Sequence, residues 1–107
     1  MYIQIVNFNL RNITTADFEE MCQDLAPQFA SIPGLISKVW LADPASNTFG
    51  GVYTWVDRAS FEAYTSSELF NAVATNPNLS NINSRGFDIL EDPTRQTRGL
   101  FVRTTAA

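Results

Sequence analysis

The chain has 107 residues, of which 45% are hydrophobic and 17% are charged. This length and hydrophobic content suit one two-layer domain, and the charged fraction is too low for a disordered or coiled-coil chain. The absence of histidine and the presence of a single cysteine, Cys22, exclude Ser-His-Asp and Cys-His catalysis, a His-ligated haem, a His/Cys zinc site and an intrachain disulfide. Eleven acidic against seven basic residues give a net charge of -4, which disfavours binding to nucleic acid.

The first part of the chain predicts a strand followed by a helix. The side chains of residues 2–9 alternate between two faces, as they do in a strand. Ile3 and Ile5 lie on one face, and the other face takes Tyr2, Gln4, Val6 and Phe8. Thr14 or Thr15 is expected to cap the helix. Its apolar side chains recur at helical spacing and form one stripe: Phe18, Met21, Cys22, Leu25 and Phe29.

A hairpin is predicted next, from a strand over residues 35–43 and a strand over residues 49–56 joined by turn-forming residues. The period of two places Lys38 and Trp40 on one face of the first of these strands. The other face takes Leu35, Ser37, Val39 and Leu41. Gly50-Gly51 lies inside the second of these strands, where it predicts a bulge or the close approach of another backbone or a ligand.

Two further helices are predicted by their capping residues. Asp57 is expected to cap a helix that runs to Tyr64, and Ser66 or Ser67 to cap a short helix over residues 69–74. The asparagine-rich segment 76–84 is predicted to be a loop.

A short fourth strand over residues 86–90 completes a β-α-β-β-α-β order. This order predicts an α+β, ferredoxin-like fold with a four-stranded antiparallel sheet and helices on one face. Residues 1–90 are then a single domain, and residues 91–107 a polar, basic C-terminal tail. Its apolar patch Leu100-Phe101-Val102 is interpreted either as a strand that docks on a partner subunit or as a frayed terminus.

We expect neither a membrane span nor a metal site. No apolar run reaches the length of about 18 to 20 residues that a spanning helix needs, and no Asp-x-Asp-x-Asp spacing occurs. The N-terminal segment has no basic region or small-residue cleavage site, so no signal peptide is identified and a cytoplasmic protein is expected.

Several short motifs carry a family resemblance. Pro33-Gly34, Lys38-Val39-Trp40 and Gly50-Gly51-Val52-Tyr53 resemble the YdhR-like mono-oxygenases of the dimeric α/β-barrel superfamily. Trp55-Val56-Asp57 before a helix, with Ser67-Glu68-Leu69-Phe70, is similar to antibiotic-biosynthesis mono-oxygenases more widely. The resemblance covers about residues 1–90. It implies a homodimer that forms a dimeric α/β barrel, in which two sheets pair by their helix-free faces and the pocket lies near the dimer interface. In a monomer the helix-free face would leave large apolar groups in water.

The resemblance also implies a reaction class. Relatives oxygenate electron-rich aromatic polyketides without flavin, haem or metal, so no cofactor and a small aromatic substrate are expected. Haem-degrading relatives hold iron with a histidine, which this chain lacks. Tyr64 stands where many members of the superfamily have a histidine, which argues against a mechanism that uses that histidine as a base.

The candidate catalytic residues are Lys38, Tyr53 and Trp55. A desolvated Lys38 would stabilise a phenolate or act as a base, whereas a solvent-facing Lys38 would only guard a sheet edge. The candidate substrate-binding residues are Trp40, Tyr64, Asn7, Gly51 and Arg85. The aromatic members of both sets are equally compatible with core packing.

Three functions remain open from the sequence. The first is a cofactor-independent mono-oxygenase acting on a small aromatic molecule. The second is a ligand-binding or stress-associated dimer without turnover, and the third is an isomerase or cyclase that uses a Lys or Tyr acid/base in the same pocket. The absence of paired carboxylates poised for acid/base work weakens the third.

Overall fold

The computed structural model describes residues 1–100 and has the predicted β-α-β-β-α-β core. Its elements are β1 (Tyr2–Leu10), α1 (Thr15–Ala30), β2 (Leu35–Asp43), a short 3-10 turn (Pro44–Ser46), β3 (Thr48–Trp55), α2 (Arg58–Thr65), α3 (Glu68–Ala74), β4 (Leu79–Asp88) and α4 (Glu91–Gln96). The strands form one antiparallel sheet in the order β2-β3-β1-β4. The ferredoxin-like α+β prediction is therefore confirmed.

The helices begin at the capping residues that the sequence predicted. The Thr14 hydroxyl accepts the backbone N–H of Asp17 at 3.0 Å, and the Asp17 carboxylate accepts the backbone N–H of Thr14, which makes a capping box. Asp57 accepts both the backbone N–H and the hydroxyl of Ser60, each at 2.8 Å, and these bonds lower the pKa of its carboxyl. Ser67 caps α3.

The core lies between the helices and one face of the sheet. The alternation predicted for β1 is confirmed: its helix-side residues Tyr2, Gln4, Val6 and Phe8 are all buried. The register places apolar side chains from all four strands on the helix-free face: Ile3, Ile5, Val39, Leu41, Val52 and Phe87. Of these, Val39 is 56% and Phe87 37% exposed.

The fourth strand is longer than predicted, since β4 begins at Leu79 and not at residue 86. The ladder with β1 shifts between Asn7 and Asn9, and Asn81 there has a φ of 54°. This irregularity breaks the alternation that identifies a strand. The Asn81 side-chain amide also donates to the Asn9 side-chain oxygen at 2.9 Å, so a residue typical of loops supports the pairing.

The start of β2 also differs from the prediction. The register with β3 shifts between Leu35 and Ser37, and Leu35 lies opposite Trp55 and packs against the core. Leu35 therefore shares the helix-side face with Lys38 and not the face of Ser37, because a bulge reverses the alternation before it.

The Gly50-Gly51 pair permits a close approach of backbones rather than a bulge. The ladders of β3 with both neighbours run through it without a shift. A Cβ at Gly50 would lie 1.8 Å from the carbonyl oxygen of Val6, so only glycine fits where β1 and β3 meet.

The segment after residue 90 contains a short helix, α4, in which Arg95 pairs with Asp92 at 3.2 Å. The docking strand proposed for Leu100-Phe101-Val102 lies, apart from Leu100, outside the described residues. Within residues 1–100, no helix is long and apolar enough to cross a membrane.

Candidate active site

The candidate active site centres on Lys38, whose ammonium group is surrounded by aromatic rings. Its Nζ lies 3.4 Å from the ring centroid of Trp40, 3.5 Å from that of Phe29 and 4.7 Å from that of Tyr53. A cation over an aromatic face is attracted by the ring quadrupole, and the attraction grows when water is excluded. The alternative of a lysine that only guards an exposed edge does not describe this environment.

Three elements build this arrangement. In the ladder of β2 and β3, Lys38 lies opposite Tyr53 and Trp40 lies opposite Gly51, so all four are on the helix side. A Cβ at Gly51 would lie 3.0 Å from Cε of Lys38, which means that glycine makes room for the lysine stem. The helix α1 then brings Phe29 over the amine.

The environment changes the acid–base chemistry of Lys38. Burial lowers the pKa of its ammonium group to about 7, and only the nearby Cys22 acts in the opposite direction. At neutral pH the amine is therefore present in both forms, as a base and as a cation. A lysine with these properties can take a proton from a bound acid and then hold the resulting anion.

A pair of buried tyrosines lies behind the lysine. The hydroxyl groups of Tyr53 and Tyr64 are 3.3 Å apart, within hydrogen-bond distance. Burial and the neighbouring Tyr64 raise the pKa of Tyr53 far above its ordinary value, and burial also raises that of Tyr64. Both phenols therefore remain protonated at neutral pH, so one hydroxyl donates to the other and neither acts as a base.

Trp55 is fully buried and its polar atom is already bonded. Its indole Nε1 donates to Oε1 of Gln4 at 3.0 Å, and Nε2 of Gln4 donates to the Ser84 hydroxyl at 2.9 Å. The indole stacks on Tyr53 with ring centroids 5.9 Å apart and planes 4° apart. Trp55 therefore packs in the core against Tyr53, on which it stacks, and has no free polar atom.

Three hollows meet around Trp40. The edge groove, about 320 Å³, lies between the end of α1 and β2 and is lined by Ala26, Phe29, Ala30, Leu35, Ile36, Ser37, Lys38 and Trp40. The helix groove, about 350 Å³, lies between α1 and the middle of the hairpin and includes Phe18, Cys22, Ala42 and Phe49. An interior cavity of about 40 Å³ lies beneath them. The edge groove and the interior cavity share Phe29, Lys38 and Trp40.

Two predicted substrate-binding residues are not part of this cluster. Asn7 pairs with Gly50 and Arg85 with Ile5, which places both on the helix-free face, and the sheet separates them from Lys38. Arg85 lies within β4, with its guanidinium 5.0 Å from the ring centroid of Phe87. Within one chain, the prediction that Asn7 and Arg85 line the same pocket as Lys38 is therefore wrong, because the strand register and not the residue type decides which face of the sheet a side chain occupies.

Other residues of the site were not identified from the sequence. Phe29 belongs to the predicted apolar stripe of α1, and its spacing gives no sign that it covers an amine. Gln4 shares the predicted face of Tyr2, Val6 and Phe8, and the partner that its buried amide requires is 51 residues away. No cluster of three metal-ligating side chains occurs within residues 1–100.

The fold and this site define an α+β ferredoxin-like protein with an amine enclosed by aromatic rings between sheet and helices. Comparison with family models then identifies the particular group: the chain belongs to the family described as "Putative mono-oxygenase ydhR", whose model matches residues 3–100. The match extends beyond residue 90, where the resemblance was expected to end, and so includes α4. Comparison with curated proteins finds no match.

Solved structures support the same fold. SnoaB, a cofactor-independent oxygenase from Streptomyces nogalater, is 24% identical, with 84% of this chain and 94% of that chain covered and a TM-score of 0.66. A putative antibiotic biosynthesis monooxygenase from Deinococcus radiodurans is 11% identical, with coverage of 83% and 92% and a TM-score of 0.69. The heme-degrader MhuD from Mycobacterium tuberculosis is 17% identical, with coverage of 86% and 98% and a TM-score of 0.67. At these identities the likeness is one of fold.

Proposed function

We propose that this protein is a cofactor-independent mono-oxygenase that oxidises a small, electron-rich aromatic molecule in the edge groove. The observation that carries the proposal is the amine of Lys38, which is enclosed by three aromatic rings and lines that groove. Aromatic walls favour a flat apolar substrate, and a groove of about 320 Å³ is at the small end of ligand pockets.

The amine supplies the acid–base chemistry. Neutral Lys38 removes a proton from the substrate, such as a phenol O–H or the acidic C–H of an anthrone, and the ammonium then holds the anion. The anion adds to dioxygen to give a peroxide, which takes the proton back from Lys38. In an anthrone, loss of water then leaves a carbonyl: a CH₂ group and one O₂ become a C=O group and one H₂O, and the substrate supplies all four electrons that reduce O₂.

Two comparisons support this reaction class. The family is described as one of mono-oxygenases, and SnoaB, of the same fold, is described as a cofactor-independent oxygenase. The chemistry assigned to Lys38 requires no histidine, which fits a chain that has none.

We further propose that the working unit is a homodimer joined through the helix-free face. That face carries Ile3, Ile5, Val39, Leu41, Val52 and Phe87, an apolar surface that a second copy of the same sheet would cover. In such a dimer Asn7 and Arg85 belong to the dimer interface rather than to the pocket of their own chain.

A cytoplasmic location stays a prediction, which fractionation of the source cells tests.

Oxygen uptake tests the proposed function. The purified protein is mixed with a panel of anthrones and hydroquinones, and uptake is compared between the wild type and Lys38→Met. Since general base catalysis contributes roughly 100-fold or more, the variant is expected to lose at least that factor. The wild-type rate should rise with pH and level off above about 7, because only the neutral amine accepts a proton.

Arg58→Met is the matched control, since it removes one positive charge from an exposed side chain of α2. It should keep the wild-type rate. Tight binding of an aromatic molecule without oxygen uptake by the wild type would instead indicate a binding protein. Equal rates for wild type and Lys38→Met would remove Lys38 from the mechanism.

A further inference from the structure

The interior cavity adjoins both grooves and is much smaller than either: it shares Phe29, Lys38 and Trp40 with the edge groove and Phe18, Cys22 and Trp40 with the helix groove. It measures about 40 Å³ and lies between α1, α3 and the helix side of the sheet. Its lining is mainly hydrocarbon, with Phe8, Phe18, Leu25, Val73 and Leu79 contributing, and Lys38 lies at the side nearest the edge groove.

The size and lining favour a small apolar occupant over water. A water molecule needs roughly 10 to 15 Å³ and two to four polar partners. Space is sufficient here, but polar side chains are few: Tyr53 already shares its hydroxyl with Tyr64, which leaves the Lys38 amine and the weakly bonding Cys22 thiol in the lining. Apolar cavities of this kind stay dry and take up apolar molecules such as xenon.

We propose that the interior cavity holds the dioxygen consumed by this protein, so that the amine of Lys38 adjoins both the oxygen and the aromatic substrate. The inference rests on the proposed function and deepens it, since it assigns a place to the second substrate. Phe29, Lys38 and Trp40 line both hollows, so the two reactants would meet beside the amine, where a bond can form between them.

This position gives Lys38 a second role. Transfer of one electron from the substrate anion to O₂ forms a substrate radical and superoxide, a negative ion that an apolar cavity disfavours. The proton that Lys38 has just taken from the substrate makes it a cation at the cavity wall, where it stabilises the superoxide. Radical and superoxide combine into the peroxide, which recovers the proton from Lys38, so charge and electrons balance.

The first test is xenon binding to the full chain, followed by NMR of the methyl groups. Xenon should shift the methyl signals of Leu25, Val73 and Leu79, and leave those of Val56 unchanged, because Val56 lies outside the cavity lining. Filling the cavity should abolish the shifts. Val73→Leu and Leu25→Phe do this from two different helices, and Val56→Leu is the matched control at a side chain 49% exposed.

The second test is the dependence of oxygen uptake on each reactant. Both filling variants should raise the KM for dioxygen at least fivefold while the KM for the aromatic substrate changes less than twofold. Val56→Leu should change neither. Thermal unfolding of each variant establishes that it is folded before its kinetics are compared. Because two cavity-filling variants are made, the KM for dioxygen can still be measured on one of them if the other misfolds.

The outcomes separate the two proposals. Oxygen uptake with an unchanged KM for dioxygen in the folded fillers, or no xenon shift in the wild type, overturns the cavity assignment and leaves the proposed function standing. Xenon binding with no oxygen uptake for any substrate in the panel overturns the proposed function, and the oxygen role with it.

Discussion

A single residue, Lys38, carries most of the chemistry proposed for this molecule. Its partner Trp40 was predictable, because residues two apart on a strand share a face. Its partner Phe29 was not, since the contact joins a helix and a strand whose packing no local pattern encodes. The sequence left Lys38 undecided between an exposed edge lysine and a desolvated amine, and burial by α1 decides between them.

Lys38 should also make stability depend on pH. Its pKa is about 7 in the folded protein and about 10.4 in the unfolded chain, so between these values the unfolded state binds more protons. The free energy of unfolding contributed by this group therefore rises with pH. Lys38→Met lacks the effect, so the stability of the wild type should rise relative to that of Lys38→Met by about 2 kcal/mol between pH 7 and pH 8.5.

Urea unfolding of both proteins at the two pH values measures that change. The contributions of all other titrating groups to the free energy of unfolding are common to both proteins and cancel in the comparison. A constant difference between wild type and Lys38→Met would mean that the amine is as well solvated in the fold as in the unfolded chain.

At the scale of elements, α1 was predictable from its regular apolar spacing and the β2–β3 hairpin from the turn-forming residues between its strands, whereas the bulge at the start of β2, which changes the face of Leu35, was not. The strand β4 was largely missed because it is rich in asparagine and contains an irregularity at Asn81, where polar residues replace the usual alternation. Asn7 and Arg85 were assigned to the pocket from their types, but the strand register decides their face. The hollows are products of element packing, and only their aromatic walls were foreseeable.

The element that receives the substrate can be tested by filling one groove at a time. Ala30, at the end of α1, lines the edge groove only, and Ala42, on β2, lines the helix groove only. Both are exposed, so Ala→Leu at either site should leave the fold intact. Ala30→Leu should raise the KM for the aromatic substrate about tenfold, and Ala42→Leu should not. The reverse pattern in steady-state oxygen uptake would place the substrate in the helix groove.

At the scale of the whole molecule, one domain supplies the pocket and leaves an apolar sheet face for a second copy. Light scattering should give twice the chain mass of 11.9 kDa at micromolar concentration. Val39→Asp places a charge on that face and should shift the protein toward monomer by at least tenfold in dimer dissociation constant. Val56→Asp, at a comparably exposed valine outside the sheet, is the control. A wild-type mass near 11.9 kDa would refute the dimer.

The central claim is that substrate and dioxygen react directly beside Lys38, and isotopic labelling tests it most directly. Wild-type protein, an anthrone and O₂ enriched in the heavy oxygen isotope are combined, and the product is analysed by mass spectrometry. The account predicts one labelled oxygen atom per product molecule, one O₂ consumed for each, and at least a 100-fold loss of product with Lys38→Met. A product of unchanged mass that also forms without oxygen would contradict it and indicate an isomerase or cyclase.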